Sequence, residues 1–147
     1  MASTDRGLEL IAQYNSKNEF AQLLGMQLFC ISDGIVEYHL EICSQHLATP
    51  GFAHGGVLTT LLDATMGAGA LTMIADEGKV VSTIEMHVNF LQPIQVGDFL
   101  VARSSTIRKG KKVIFMNCEV KNQQNKLVAV SKGTFFPLDA TRAGYQF

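Results

Sequence analysis

Between Val57 and Ala75 the chain runs for nineteen residues with one ionisable side chain, Asp63, four threonines and otherwise apolar or small residues. A helix of that composition is stable in water only if nearly its whole circumference is covered. The segment is therefore read as a central helix from about Gly55 to Ala75, around which the other elements must close. Ala64, Gly67, Ala68, Gly69 and Ala70 let neighbours approach it closely. Asp63 is buried with it on this reading, and a buried carboxylate is costly unless paired, hydrogen-bonded or neutralised. Such a group marks a functional position more often than a structural one.

The flanking segments have the other period. Met26 to Ser32 reads as a strand, Asp33-Gly34 as a tight turn, and Ile35 to Ile42 alternates with Val36, Tyr38, Leu40 and Ile42 on one face. After the helix, which Asp76-Glu77-Gly78 stops, four strands follow over Val80 to Leu91, Phe99 to Arg108, Lys112 to Lys121 and Lys126 to Phe136. In the first of these, Ile84, Met86, Val88 and Phe90 share a face opposite Thr83, Glu85, His87 and Asn89. Two short helices precede the strands. Ser3 or Thr4 caps the first, Ser16 and Glu19 form a capping box for the second, and Gly25 ends it. A hairpin, one apolar helix and a four-strand meander predict an α+β fold, an antiparallel sheet curled around the helix. At 147 residues and 47% hydrophobic content this is a single domain over 1–147, with a helical extension over 1–25 and the core over 26–137. The uncovered flank of the helix predicts self-association.

Charge narrows the function classes. Residues 1–100 carry eleven acids and three basic residues, whereas Arg103, Arg108, Lys109, Lys111, Lys112, Lys121, Lys126 and Lys132 face Glu119 alone between 103 and 132. That half offers an anion-attracting surface or simply a solvated strand face. With no aromatic residues interleaved, it does not suit base stacking, and nucleic acid is not expected as a partner. Cys30, Cys43 and Cys118 lack metal or redox spacing and read as buried free thiols in a cytoplasmic protein. The N-terminus has neither signal-peptide nor transit-peptide character. Asp63, the threonines and the glycines argue against a membrane span.

The chemistry concentrates at the helix start. Gly55 and Gly56 have no side chains to block a ligand oxygen from the free N–H groups of the first turn, where the helix dipole favours negative charge. This suits an oxyanion hole; a phosphate cradle would want a longer glycine loop and a following lysine, where this chain has Val57 and Leu58. Asp63 stands eight residues past Gly55, about 12 Å along a helix at ~1.5 Å per residue. A base and an oxyanion hole serving one carbonyl must lie far closer. Two antiparallel helices related by a two-fold axis bring Gly55 of one copy opposite Asp63 of the other, so the site is expected across a homodimer. The bland alternative for Asp63 is a bond to Thr59 or Thr60. His54 caps the helix, orients the loop or acts as an acid, while His39, His46 and His87 read as solvated. Thr83 either holds a water beside Asp63 or is a plain strand threonine.

His54-Gly55-Gly56, then Leu62-Asp63, Gly67, the run Thr83 to Pro93, and the ending Leu127-Val128-Ala129 through Gly133-Thr134-Phe135 together resemble the hotdog-fold acyl-CoA thioesterases of the 4-hydroxybenzoyl-CoA thioesterase superfamily, in their phenylacetate-degradation (PaaI-like) branch. The resemblance spans roughly residues 26–137. It implies a five- or six-stranded sheet around a central helix, homodimers that pair into tetramers, and hydrolysis of an acyl-CoA to free acid and coenzyme A. It puts carbonyl polarisation on Gly55, the base or nucleophile on Asp63, and assistance to water on Thr83. Gly56, Arg108, Lys109, Lys111 and Lys112 then meet the coenzyme, with Lys132 and Gly133 lining the way in. No metal or other cofactor is implied, since coenzyme A enters as part of the substrate. One position departs: many relatives carry Asn or Gln where this chain has Ala48. A non-catalytic acyl-CoA binding module is the alternative this favours. Hydration of an enoyl-CoA would want a histidine shortly after Asp63, and none follows on that helix. The acyl group and the pathway are not legible.

Overall fold

The computed structural model describes residues 3–147. Helix α1 (Asp5–Lys17) and helix α2 (Glu19–Leu24) lead into strands β1 (Gln27–Ser32) and β2 (Ile35–Glu41). The central helix α3 (Gly55–Thr72) follows, then strands β3 (Lys79–Phe90), β4 (Phe99–Lys109), β5 (Ile114–Lys121) and β6 (Leu127–Asp139). The six strands form one antiparallel sheet in the order β1-β2-β4-β5-β6-β3, so β3 lies at an edge and pairs only with β6. This is the hotdog arrangement, a sheet wrapped on a helix.

Side chains explain the wrap. Val36, Tyr38, Leu40 and Ile42, predicted to share a face, are all buried against α3 together with Leu100, Ala102, Met116 and Val120. The small residues of α3 let the sheet close in. A Cβ at Gly69 would stand 2.5 Å from the Ser104 hydroxyl and 3.0 Å from the Gly34 carbonyl. Ser104 ties the β1–β2 turn to β4 by donating to the Gly34 carbonyl and accepting from Val36 N–H, and the Thr72 hydroxyl accepts from Gly34 N–H.

Three local expectations change. The second helix is capped by Asn18, whose side chain accepts from Ala21 N–H at 3.1 Å, because Ser16 still belongs to α1. Gly25, at φ 82°, ends it as expected. Only Cys118 of the three free cysteines is buried; Cys30 and Cys43 are exposed. Burial pushes the Cys118 thiol up to about 12.

The third change matters most for function. A β-bulge between Thr83 and Glu85 inserts Ile84 as an extra residue in β3, and Ile84 is exposed. Strict alternation places Thr83 opposite Met86. The bulge instead resets the parity, so that Val81 and Thr83 before it and Met86 and Val88 after it all face α3.

Helix α1 and the residues after β6 share a second, smaller core. Leu10 of α1 is fully buried with Leu71, Ala75, Val80 and Ala140. Thr4 caps α1 and also binds Asp76 through its N–H and hydroxyl, at 2.8 and 2.7 Å.

Candidate active site

The first turn of α3 is entered through His54, whose Nδ1 accepts from Gly56 N–H at 2.7 Å. The ring proton therefore sits on Nε2, which points away from the cap. Gly56 must lack a side chain for this contact: a Cβ there would come 2.9 Å from His54 Nδ1. Gly55 N–H donates to no acceptor among the described residues, and Gly55 lies under the Phe90 ring. A cavity of about 370 Å³ opens beside it, lined by Phe52, Leu58, Phe90, Leu91 and Pro93. The oxyanion donor expected at this turn is thus Gly55 alone, since His54 already occupies Gly56 N–H.

Asp63 is half-buried rather than enclosed. It lies on a stripe of α3, with Gly56, Thr59, Thr60 and Ala64, that the chain's own sheet leaves open. Its Oδ1 accepts from the Thr83 hydroxyl at 2.6 Å. Thr59 and Thr60 turn away from it and donate to the Gly55 and Gly56 carbonyls instead, at 3.0 and 2.9 Å. The structure therefore brings Asp63 and Thr83 together and leaves Gly55 about 12 Å away along the same helix.

The basic residues fall in two places. Arg108, Lys109, Lys111 and Lys112 sit at the β4–β5 tip, beside the C-terminal end of α3. A second bulge, between Thr106 and Arg108, turns Lys109 toward the helix. Its ammonium donates to the Met73 carbonyl at 2.8 Å and lies 3.5 Å from Glu77, a cation at the negative end of the helix dipole. Arg108, Lys111 and Lys112 are exposed and have no carboxylate partner among the described residues. Lys132 and Gly133 point to opposite faces of β6. Gly133 packs against Met66, where a Cβ would stand 3.1 Å from the methionine methyl, and Lys132 lies on the outer face with His87 and Asn117. Arg103 is held by Glu37 at 2.7 Å.

Two histidines differ from expectation. His46 is 1% exposed, its Nε2 2.7 Å from the Leu24 carbonyl and its Nδ1 accepting from Cys43 N–H. Its own carbonyl accepts from His54 N–H at 2.8 Å, so His46 holds the loop that delivers the His54-Gly55-Gly56 turn. No periodic signal marks it, since it lies outside any helix or strand pattern. His39 is half-buried between Phe29 and Phe99 and bonded to Glu37 at 2.9 Å. Ala48 is exposed in the loop, its N–H donating to the Phe52 carbonyl. Among the described residues no group of three or more His, Cys, Asp or Glu side chains is placed to hold a metal ion, and no helix is long and apolar enough to cross a membrane.

Residues 50–129, more than half of the chain, match the Thioesterase superfamily. A putative esterase of Archaeoglobus fulgidus is 26% identical over 136 residues, 92% of this chain and 86% of its own length. In fold, the chain is similar to the Escherichia coli PaaI protein from the phenylacetic acid degradation operon, with a TM-score of 0.84 at 22% identity, covering 93% of this chain and 96% of that one. It is also similar to a Streptococcus mutans protein bound to acetyl CoA, with a TM-score of 0.72 at 25% identity, covering 78% and 90%. With its helix-wrapping sheet and His-Gly-Gly turn, the chain belongs to the thioesterase superfamily and is a thioester hydrolase of hotdog fold, PaaI-like in architecture.

Proposed function

We propose that the protein hydrolyses an acyl-CoA thioester at a site shared by two copies of the chain. One observation carries this reading. The only charged residue of α3, held by a hydroxyl from β3, lies on the helix face that the sheet leaves open, while the helix start offers a free N–H. Gly55 N–H of one copy polarises the thioester carbonyl and stabilises the oxyanion. Asp63 of the other copy activates water as a base or attacks the carbonyl itself, and Thr83 positions the water or the carboxylate. His54 acts by holding Gly56 and the loop. The acetyl CoA bound to the Streptococcus mutans relative supports coenzyme A as the carrier.

Pairing has two supports in the chain. The twelve-residue edge strand β3 has one side without a neighbour, and open edges of that length are completed or protected. The open stripe of α3 lies beside it. An antiparallel pair that sets Asp63 opposite the partner's Gly55 also sets Met73 about 15 Å beyond that glycine. The cations at the β4–β5 tip then lie toward the end where the thioester is held. There Arg108, Lys111 and Lys112 meet the coenzyme phosphates, with Lys109 in support. Lys132, on the outer face of the sheet, serves a tetramer contact or the coenzyme's far end, and Gly133 serves packing. The free cysteines suit a reducing, cytoplasmic setting.

The test is subunit complementation. Asp63→Asn and Gly55→Val are each inactive in thiol release from an acyl-CoA panel. Co-expressed, they form mixed dimers with one intact shared site, and about half the native activity per mixed dimer returns. A site built within one chain returns none. Ala48 favours the non-catalytic reading in one respect, the missing amide side chain. That reading requires native protein that binds coenzyme A yet is inert on the whole panel.

A further inference from the structure

A pocket of about 270 Å³ lies behind Asp63, lined by Tyr14, Leu71, Val80, Val81, Ser82, Leu138, Ala143 and Tyr145. Its position follows from how β3 runs along α3. Thr83 meets Asp63; two residues back, Val81 lies 4.0 Å from where a Cβ of Gly67 would be, one helical turn on. Leu71, another turn along, is in the pocket wall. The cavity thus begins one turn from the carboxylate and extends toward the C-terminal end of α3.

Its walls say which part of a thioester it suits. No lysine or arginine lines it, so it has no cation to meet phosphates, and its surface is aliphatic with two phenols and one serine. An apolar cavity of about 150 Å³ already holds benzene. Burial, then the neighbouring phenols of Tyr38 and Tyr145, and the Asp63 carboxylate keep the Tyr14 hydroxyl protonated far above the ordinary range. The outer wall belongs to the last residues of the chain. Gln13 pins this strap to α1 with two bonds to Gln146, at 2.7 and 3.0 Å, and Arg6 lies over the Phe147 ring at 4.2 Å.

We propose that this pocket takes the acyl group of the substrate and that residues 140–147 limit the chain it accepts, with Ala143 and Tyr145 as the limiting contacts. The inference rests on Asp63 as the reacting group. Its test uses binding rather than hydrolysis, so that it can fail separately. Affinities of S-alkyl-CoA thioethers from ethyl to octyl are measured by calorimetry on the full chain. Each methylene the native pocket buries gains roughly fourfold in affinity.

Ala143→Phe, at the exposed rim, is expected to cut the ratio of hexyl to ethyl affinity at least tenfold, and Tyr145→Ala to extend the gain to longer chains. Thr141→Phe, exposed on the same strap but outside the lining, controls for general disturbance. An unchanged ratio in Ala143→Phe, or an equal fall in Thr141→Phe, overturns the assignment. Chain-length gain in binding without any thiol release would leave the pocket standing and the hydrolytic reading refuted.

Discussion

The two halves of α3 obey different rules. From Thr65 to Thr72 every residue is buried, and side chains there are chosen by fit against the sheet. From Gly55 to Ala64 only Val57, Leu58, Leu61 and Leu62 are buried, and Gly56, Thr59, Thr60, Asp63 and Ala64 form the open stripe. The lesson is that Asp63 is marked by the incompleteness of its surroundings, whereas its neighbours one turn on are marked by their closeness.

The sharpest way to break this contrast is Asp63→Asn. On the open stripe it should cost at least ~100-fold in turnover, the lower end of general-base contributions, with unfolding in urea unchanged within ~0.5 kcal/mol. A drop in stability comparable to a core substitution would mean that the stripe is structural. Gly69→Ala should do the reverse. Its Cβ would collide with Ser104, Gly34 and Met116, costing about 1–3 kcal/mol. By contrast, Gly67→Ala meets only ordinary contacts beyond 3.5 Å and should be neutral or slightly stabilising through helix propensity. Paired urea titrations of the two alanine variants decide whether closeness is as local as argued.

A smaller effect is expected from Thr83→Val, which removes the hydroxyl held at 2.6 Å from Asp63. Turnover should fall roughly tenfold, in line with a hydrogen bond to a charged group. A raised KM with turnover intact would assign Thr83 to binding.

The smallest effect lies far from α3. The hydrogen bond with His39, followed by the Arg103 guanidinium, holds Glu37 below its ordinary 4.5. Its stabilisation is complete above the unfolded value and is lost as pH falls through the lower folded one. With Arg103 half exposed, it should amount to less than about 1 kcal/mol. Urea midpoints between pH 6 and 3 should decline more steeply for the native chain than for Glu37→Gln.

Much of this was readable from residue order. Alternation in β2, the apolar run of α3 and the His54-Gly55-Gly56 turn each carry their signal in consecutive residues. What was hidden depends on contacts between distant segments. Ser16 and Asn18 are both capable caps, and only the end of α1 decides between them. His46 looks solvated because burial by Leu24 comes from another element. The enclosure expected of Asp63 failed because apolarity around a helix does not say whether the cover comes from its own chain. The Thr83–Asp63 bond was foreseen as a possibility, yet the bulge that permits it leaves no period of its own.

That bulge gives β3 one residue it can lose. Deleting Ile84 would join Thr83 to Glu85 in an uninterrupted ladder, with Thr83 and Met86 both still facing inward. Removing Glu85 as well would make Thr83 and Met86 neighbours, and one of them would have to turn outward. If Met86 and Val88 kept their seats in the core, Thr83 would turn to the solvent face and Asp63 would lose its donor. Natural variation in this strand should therefore admit the loss of Ile84 alone, but not the loss of Ile84 and Glu85 together.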